Sequence, residues 1–147
     1  MLSSLTEAKV EYLLVGAYAV AAHAVSRFTQ DIDFWVRPDR DNAKRVIAAL
    51  HDFQAPLFGL TEQDLVRPET VFQIGVPPQC IHMMTSITGV SFDEAWANRI
   101  EIQVHDITVP VIGLNELIRN KSETNRDKDR IDVGWLQEKR GDGPKAD

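Results

Sequence analysis

Between residues 71 and 112 four strand-like segments follow one another with only one short helical stretch among them. Val71 to Ile74 and Cys80 to Met84 flank the turn Gly75-Val-Pro-Pro78, and Ser91 to Asn98 reads as a helix capped by Ser91 with Glu94 at the capping-box position. Ile100, Ile102 and Val104 then alternate, and Val109, Val111 and Ile112 resume after His105-Asp106, which reads as a hairpin turning near Asp106. Strands this close in sequence cannot all be joined by crossover helices, so any sheet they enter is mixed or partly antiparallel.

The first half alternates instead. Ser3 or Ser4 is placed to cap a first helix, Tyr12-Leu-Leu-Val15 reads as a buried strand, and Ala17 to Val25 reads as a core helix. Ile32, Phe34 and Val36 form a second strand, and Asp39 is placed to cap a helix running to Leu50. Residues 54–67 read as a loop with one short helix from Thr61, and Leu114 to Ser122 and Arg126 to Glu138 as closing helices. The class is α/β (α+β), a mixed sheet flanked by helices. The expected organisation is one domain over 1–140 with a polar, flexible tail at 141–147.

Composition narrows the function. With 16 Lys plus Arg against 22 Asp plus Glu, the net charge is -6. That balance argues against a protein that coats nucleic acid, whose binding begins on a basic surface, but permits a metal-assisted site for one nucleotide. The lone Cys80 excludes an intramolecular disulfide and is expected buried and inert. No stretch is long and apolar enough to span a bilayer, and the N-terminus lacks the pattern of a signal peptide, so a cytoplasmic location and no membrane partner are expected.

The chemistry concentrates in residues 15–36. Asp31 and Asp33 lie two apart on a strand, so their side chains leave one face with Cα atoms about 6.5–7 Å apart and can converge on a hard cation. The same pattern also suits two polar residues facing solvent. Upstream, a strand ends at Gly16 and a helix begins near Ala17, an arrangement in which backbone approaches a phosphate and first-turn N–H groups point at it. Arg27 and Thr29 add a cation and a hydroxyl just before the acids. His23 reads as a core or edge histidine, and Trp35, Trp96 and Trp135 as core or interface residues.

Gly16 through Asp33, with Arg27-Phe-Thr-Gln-Asp-Ile-Asp33, resembles the nucleotidyltransferase superfamily that includes DNA polymerase β and kanamycin nucleotidyltransferase. It is most similar to small stand-alone members related to AbiEii/AbiGii-type toxins and minimal nucleotidyltransferase antitoxins. The likeness continues through Met84-Thr-Ser-Ile-Thr-Gly-Val-Ser-Phe-Asp-Glu-Ala-Trp96, Leu117-Ile-Arg-Asn-Lys121 and Arg126-Asp-Lys-Asp-Arg-Ile-Asp132, covering most of residues 10–138. The resemblance implies transfer of a nucleoside monophosphate from a nucleoside triphosphate (NTP) to a protein or nucleic-acid hydroxyl, in a toxin–antitoxin or phage-defence setting. It implies Mg²⁺ or Mn²⁺ on Asp31 and Asp33. It places the nucleotide beside Gly16, Ala17, Arg27, Thr29, Lys121 and Asp129, with Asp129 and Asp132 as partners of Lys121 or Arg126. Of the partners, a protein acceptor or a cognate toxin or antitoxin fits the acidic charge better than nucleic acid does.

Two positions depart from that pattern. Ala17 stands where Ser or Gly is common, so a phosphate-bonding hydroxyl is missing. His82, within Ile81-His-Met-Met-Thr-Ser86, stands where the third metal-binding aspartate is expected. Imidazole is a poor ligand for Mg²⁺ but a good one for softer ions. His82 is therefore a metal ligand in an altered site, a catalytic base, or the mark of a site that binds without turnover. Glu101 and Asp106 are candidates to replace the missing acid, although Glu101 suits a solvent-facing position equally well. The alternative function is a catalytically impaired module that binds nucleotide, metal or a partner. A third is a metal-binding protein in which His82, Asp31 and Asp33 capture a transition metal.

Overall fold

The computed structural model describes residues 1–24, 31–76 and 80–141. Its order is α1 (Leu2–Glu7), β1 (Tyr12–Val15), α2 (Gly16–His23), β2 (Ile32–Val36) and α3 (Arg40–Asp52), then a 3-10 turn at Asp64–Val66. There follow β3 (Val71–Ile74), β4 (Ile81–Met84), α4 (Phe92–Ala97), β5 (Ile100–Val104), β6 (Ile107–Val111), α5 (Leu114–Thr124) and α6 (Asp127–Arg140). The six strands form one mixed sheet in the order β3-β4-β2-β1-β6-β5. β1–β2, β3–β4 and β5–β6 are antiparallel, while β2–β4 and β1–β6 are parallel.

β1 lies inside the sheet with all four residues buried, which is why it reads as an unbroken apolar run rather than an alternation. Its register with β2 sorts the central side chains. Tyr12, Leu14, Phe34 and Val36 share one face; Leu13, Val15, Asp33 and Trp35 share the other. Tyr12 meets Phe34 edge-on on the first face, and Phe92 of α4 meets Trp35 edge-on on the second. Burial pushes the Tyr12 phenol up to about 12.

The expected cap of α3 is present, with the Asp39 carboxylate accepting from Asn42 N–H at 2.7 Å. Asn42 is itself buried, and its amide bonds the backbone of Glu11 and Arg37, tying the helix start to the ends of β1 and β2. Ser91 caps α4 as expected, accepting from Glu94 N–H at 3.3 Å. His105 makes the β5–β6 turn with φ 55 beside Asp106.

The first helix departs from expectation. α1 starts at Leu2 with Met1 as its cap, so neither Ser3 nor Ser4 caps it. The buried Leu5 and the packing of α1 on α3 set its position, and the Ser4 hydroxyl donates instead to Asp52 at 2.7 Å. α2 begins at Gly16 rather than Ala17 and ends at His23. The short helix expected from Thr61 is only the single 3-10 turn, because Thr61 and Asp64 bond each other's backbone N–H groups and close the chain locally. Trp35 is core, and Trp96 stacks on Phe92. Of the expected tail, Gly141 caps α6 with φ 92, and residues 142–147 lie outside the described residues. Among the described residues no helix is long and apolar enough to cross a membrane.

Candidate functional site

The end of β1, the start of α2 and the start of β2 meet at one point. Val15 pairs with Asp33 across the strands, and Gly16 then turns the chain into α2 with φ +71. A Cβ placed on Gly16 would stand 2.1 Å from Asp33 Oδ2. The left-handed backbone favours glycine, and a Cβ there would also displace the Asp33 carboxylate packed against it. The amides that open α2 have no partner within the helix, and the helix dipole adds partial positive charge beside that carboxylate. Gly16→Ala is expected to lower stability by about 1–2 kcal/mol and to swing Asp33 away from the turn. Thermal melts measure the first effect, and a weakened Mn²⁺ titration the second.

Asp31 precedes β2 and, by the strand alternation, shares the face of Asp33. Its Oδ1 accepts from Cys80 N–H at 3.1 Å, while Ile32 N–H donates to Cys80 O, so Asp31 joins the β2–β4 ladder at its open end. The Cys80 thiol is buried, and burial with the Asp31 charge beside it pushes its pKa up, as expected of an inert cysteine.

β4 lies parallel to β2 with His82 directly opposite Asp33, and β3 sets Gln73 opposite His82. The three side chains form a hydrogen-bonded row. His82 Nδ1 is 3.0 Å from Asp33 Oδ1, and His82 Nε2 is 3.2 Å from Gln73 Oε1. His82 therefore stands beside Asp33, the second of the two acids. Gln73 is the residue that sequence reading missed, since it becomes relevant only through the β3–β4 register.

Glu101 is not available to replace a third acid. It is exposed on β5, at the opposite edge of the sheet and three strands from β2, about 14 Å away at ordinary strand spacing. Asp106 is in the turn of that same hairpin.

Lys121 and Asp129 form a second cluster between α5 and α6. Lys121 Nζ lies 3.3 Å from Asp129 Oδ1 and 3.2 Å from Asp132 Oδ2, and all three residues are buried. Asp129 also accepts from Thr124 Oγ1 at 2.8 Å and from the backbone and guanidinium of Arg126, completing the capping box of α6. Burial alone would raise the Asp129 pKa, but the Arg126 and Thr124 hydrogen bonds and the Lys121 charge outweigh it and hold the carboxyl well below the usual range. This is a buried ion cluster, not a solvated row of charge pairs. Thr124 was not legible as its member.

α2 packs against both α5 and α6, and His23 at its end bonds Ile112 O at 2.7 Å, as a satisfied edge histidine does. Ala17 sits in the first turn of α2. Arg27 and Thr29 lie outside the described residues.

Among the described residues no group of three or more His, Cys, Asp or Glu side chains is arranged to hold a metal ion. Asp31 and Asp33 nevertheless fit a hard divalent ion of the kind that takes one or two carboxylates and completes its shell with water and phosphate oxygens. They do not form a cage for a metal held by protein alone.

No protein-family model and no curated protein matches the sequence. In three dimensions the chain is similar to a Thermotoga maritima protein described as a nucleotidyltransferase (TM-score 0.59, 16% identity, 93% of this chain on 88% of that one). It is similar to the lincosamide antibiotic adenylyltransferase LnuA, solved with lincomycin bound (TM-score 0.56, 15% identity, 92% on 91%). It is also similar to the antibiotic-resistance factor ANT(2'')-Ia (TM-score 0.61, 12% identity, 95% on 80%).

Proposed function

Because this chain has the nucleotidyltransferase fold, we propose that it transfers a nucleoside monophosphate from an NTP to a hydroxyl acceptor. The observation that carries the reading is the packing of Asp33 against Gly16, which sets an acid that can hold a cation beside a helix start that can receive phosphate. The acceptor hydroxyl oxygen forms a bond to the α-phosphorus as the bond to pyrophosphate breaks, releasing pyrophosphate and a proton. Mg²⁺ or Mn²⁺ supplies charge neutralisation and activation of the attacking oxygen in such chemistry. Asp31 and Asp33 are the residues to hold it. The α2 amides at Gly16 and Ala17 receive the terminal phosphates, and Arg27, Thr29 and Lys121 are further nucleotide-side residues on the sequence resemblance, with the fully buried Asp129 acting through its ion pair with Lys121.

A protein hydroxyl, including one on a cognate toxin or antitoxin, fits the net charge of -6 better than a nucleic acid. Two of the structural neighbours are named for antibiotic adenylylation or resistance, so small hydroxyl compounds belong in the acceptor panel. The expected result is pyrophosphate release, or label on an acceptor, from one of the four NTPs with Mg²⁺ or Mn²⁺.

His82 in the third acid position favours a second reading, a module that binds nucleotide with little turnover. His82→Asp separates the two. Without metal, its carboxylate faces Asp33 and the melting temperature is expected to fall; with Mg²⁺ it should recover. A gain of Mg²⁺-dependent turnover supports the impaired-site reading. Wild-type turnover that His82→Asp does not improve supports the enzyme as it stands.

A further inference from the structure

We propose that Gln73 is a positioning residue, holding the His82 imidazole so that His82 in turn holds Asp33 against the Gly16 turn. The inference rests on Asp31 and Asp33 as the cation-holding pair. It changes the role of His82 from ligand to brace.

The geometry of three strands carries it. Asp33, His82 and Gln73 occupy directly opposed positions on β2, β4 and β3, so their side chains share one face. The Gln73 amide is oriented by its own Nε2, which donates to Gly75 O at 3.2 Å and leaves Oε1 toward His82 Nε2. The other ring nitrogen is engaged by Asp33 Oδ1. Both ring nitrogens are thus turned toward oxygen atoms of neighbouring side chains, Nδ1 to Asp33 and Nε2 to Gln73. Asp33 Oδ1 is likewise engaged, while Oδ2 is the atom lying against Gly16.

Loss of the Gln73 acceptor releases one end of the ring. The ring torsion is broad and roughly two-fold, so the imidazole can then reorient and offer a nitrogen lone pair. Such a nitrogen favours Zn²⁺ or Ni²⁺ over Mg²⁺. Gln73 therefore also keeps the site selective for hard ions. Residues behind metal ligands commonly change affinity by 10- to 100-fold, and Gln73 acts one step further out.

The test uses the whole chain, labelled with ¹⁵N, at one fixed pH. Long-range ¹H–¹⁵N spectra without metal read the two His82 ring nitrogens. Gln73→Leu is expected to move both signals. Gln103→Leu, the same replacement on the opposite edge strand, should leave them in place. Gln73→Asn keeps an amide that is too short to reach the ring from the same strand position and should move them as Gln73→Leu does. In titrations, Gln73→Leu should weaken Mn²⁺ binding by about 3- to 10-fold and tighten Zn²⁺ binding. Unmoved His82 signals in Gln73→Leu, or an unchanged ratio of Mn²⁺ to Zn²⁺ affinity, would overturn the proposal. An unmodified chain that binds neither Mn²⁺ nor NTP defeats the function proposed above, and the His82 signals still decide whether Gln73 holds the ring.

Discussion

Asp33→Asn is expected to lower nucleotidyl transfer by at least about 100-fold while leaving the fold intact. The two effects separate because they have different physical sources. A first carboxylate ligand contributes several kcal/mol of charge stabilisation once a divalent ion and a triphosphate are present, and each 1.4 kcal/mol is tenfold in rate. Among the described residues Asp33 is paired with His82, and both side chains are 25% exposed. A pair that open to solvent is worth about 1 kcal/mol or less. Pyrophosphate release measured beside thermal melts should therefore show a large kinetic loss with a small shift in melting temperature. Activity retained within threefold would remove Asp33 from the site. Asp31→Asn is expected to follow the same pattern, because the Asn amide oxygen can still accept the Cys80 N–H.

Lys121→Met should act in the opposite sense, on stability first. Its ammonium is buried against Asp129 and Asp132, and Asp129 is fully buried. Removing one member of a buried ion cluster leaves uncompensated charge and costs about 3–5 kcal/mol, or about 10–15 °C in melting temperature for a chain of this length. Asp129→Asn should fall in the same range, because the Lys121 charge, Arg126 and Thr124 all lose a carboxylate partner. The pH dependence has a definite sign. The folded Asp129 carboxyl lies below its unfolded value, so its stabilisation is fully present above about pH 4 and is lost as pH falls through the lower folded value. The gap between the unmodified chain and Asp129→Asn should therefore be widest near neutrality and close in acid. Denaturant melts without nucleotide measure this directly, apart from any contact of Lys121 with substrate. A gap that stays constant down to pH 2 would contradict the assignment.

The mixed sheet was readable because four strands crowd into a span too short for crossovers, and the helix caps at Asp39 and Ser91 because those side chains act within three residues. Asp31, Asp33 and Gly16 stood out for the same reason. Alternation along one strand and a strand–glycine–helix order are local facts, set by backbone geometry of a few residues. The ion cluster was half legible. Lys121, Asp129 and Asp132 were expected as partners, but a local charge pattern cannot distinguish a solvated face from a buried one, since burial depends on what packs against it.

What the sequence by itself determined about this protein is thus the fold class, the caps at Asp39 and Ser91 and the chemical identities at residues 16, 31, 33 and 82. Only the tertiary structure decided their relations. Pairing register between β2, β4 and β3 set His82 between Asp33 and Gln73, and the sheet order removed Glu101 to the far edge. Register is fixed by the whole sheet burying its apolar face, because a slip of one residue exchanges the two faces of a strand. That constraint is spread over residues distant in sequence, so the neighbours of His82 could not be read from the stretch that contains it.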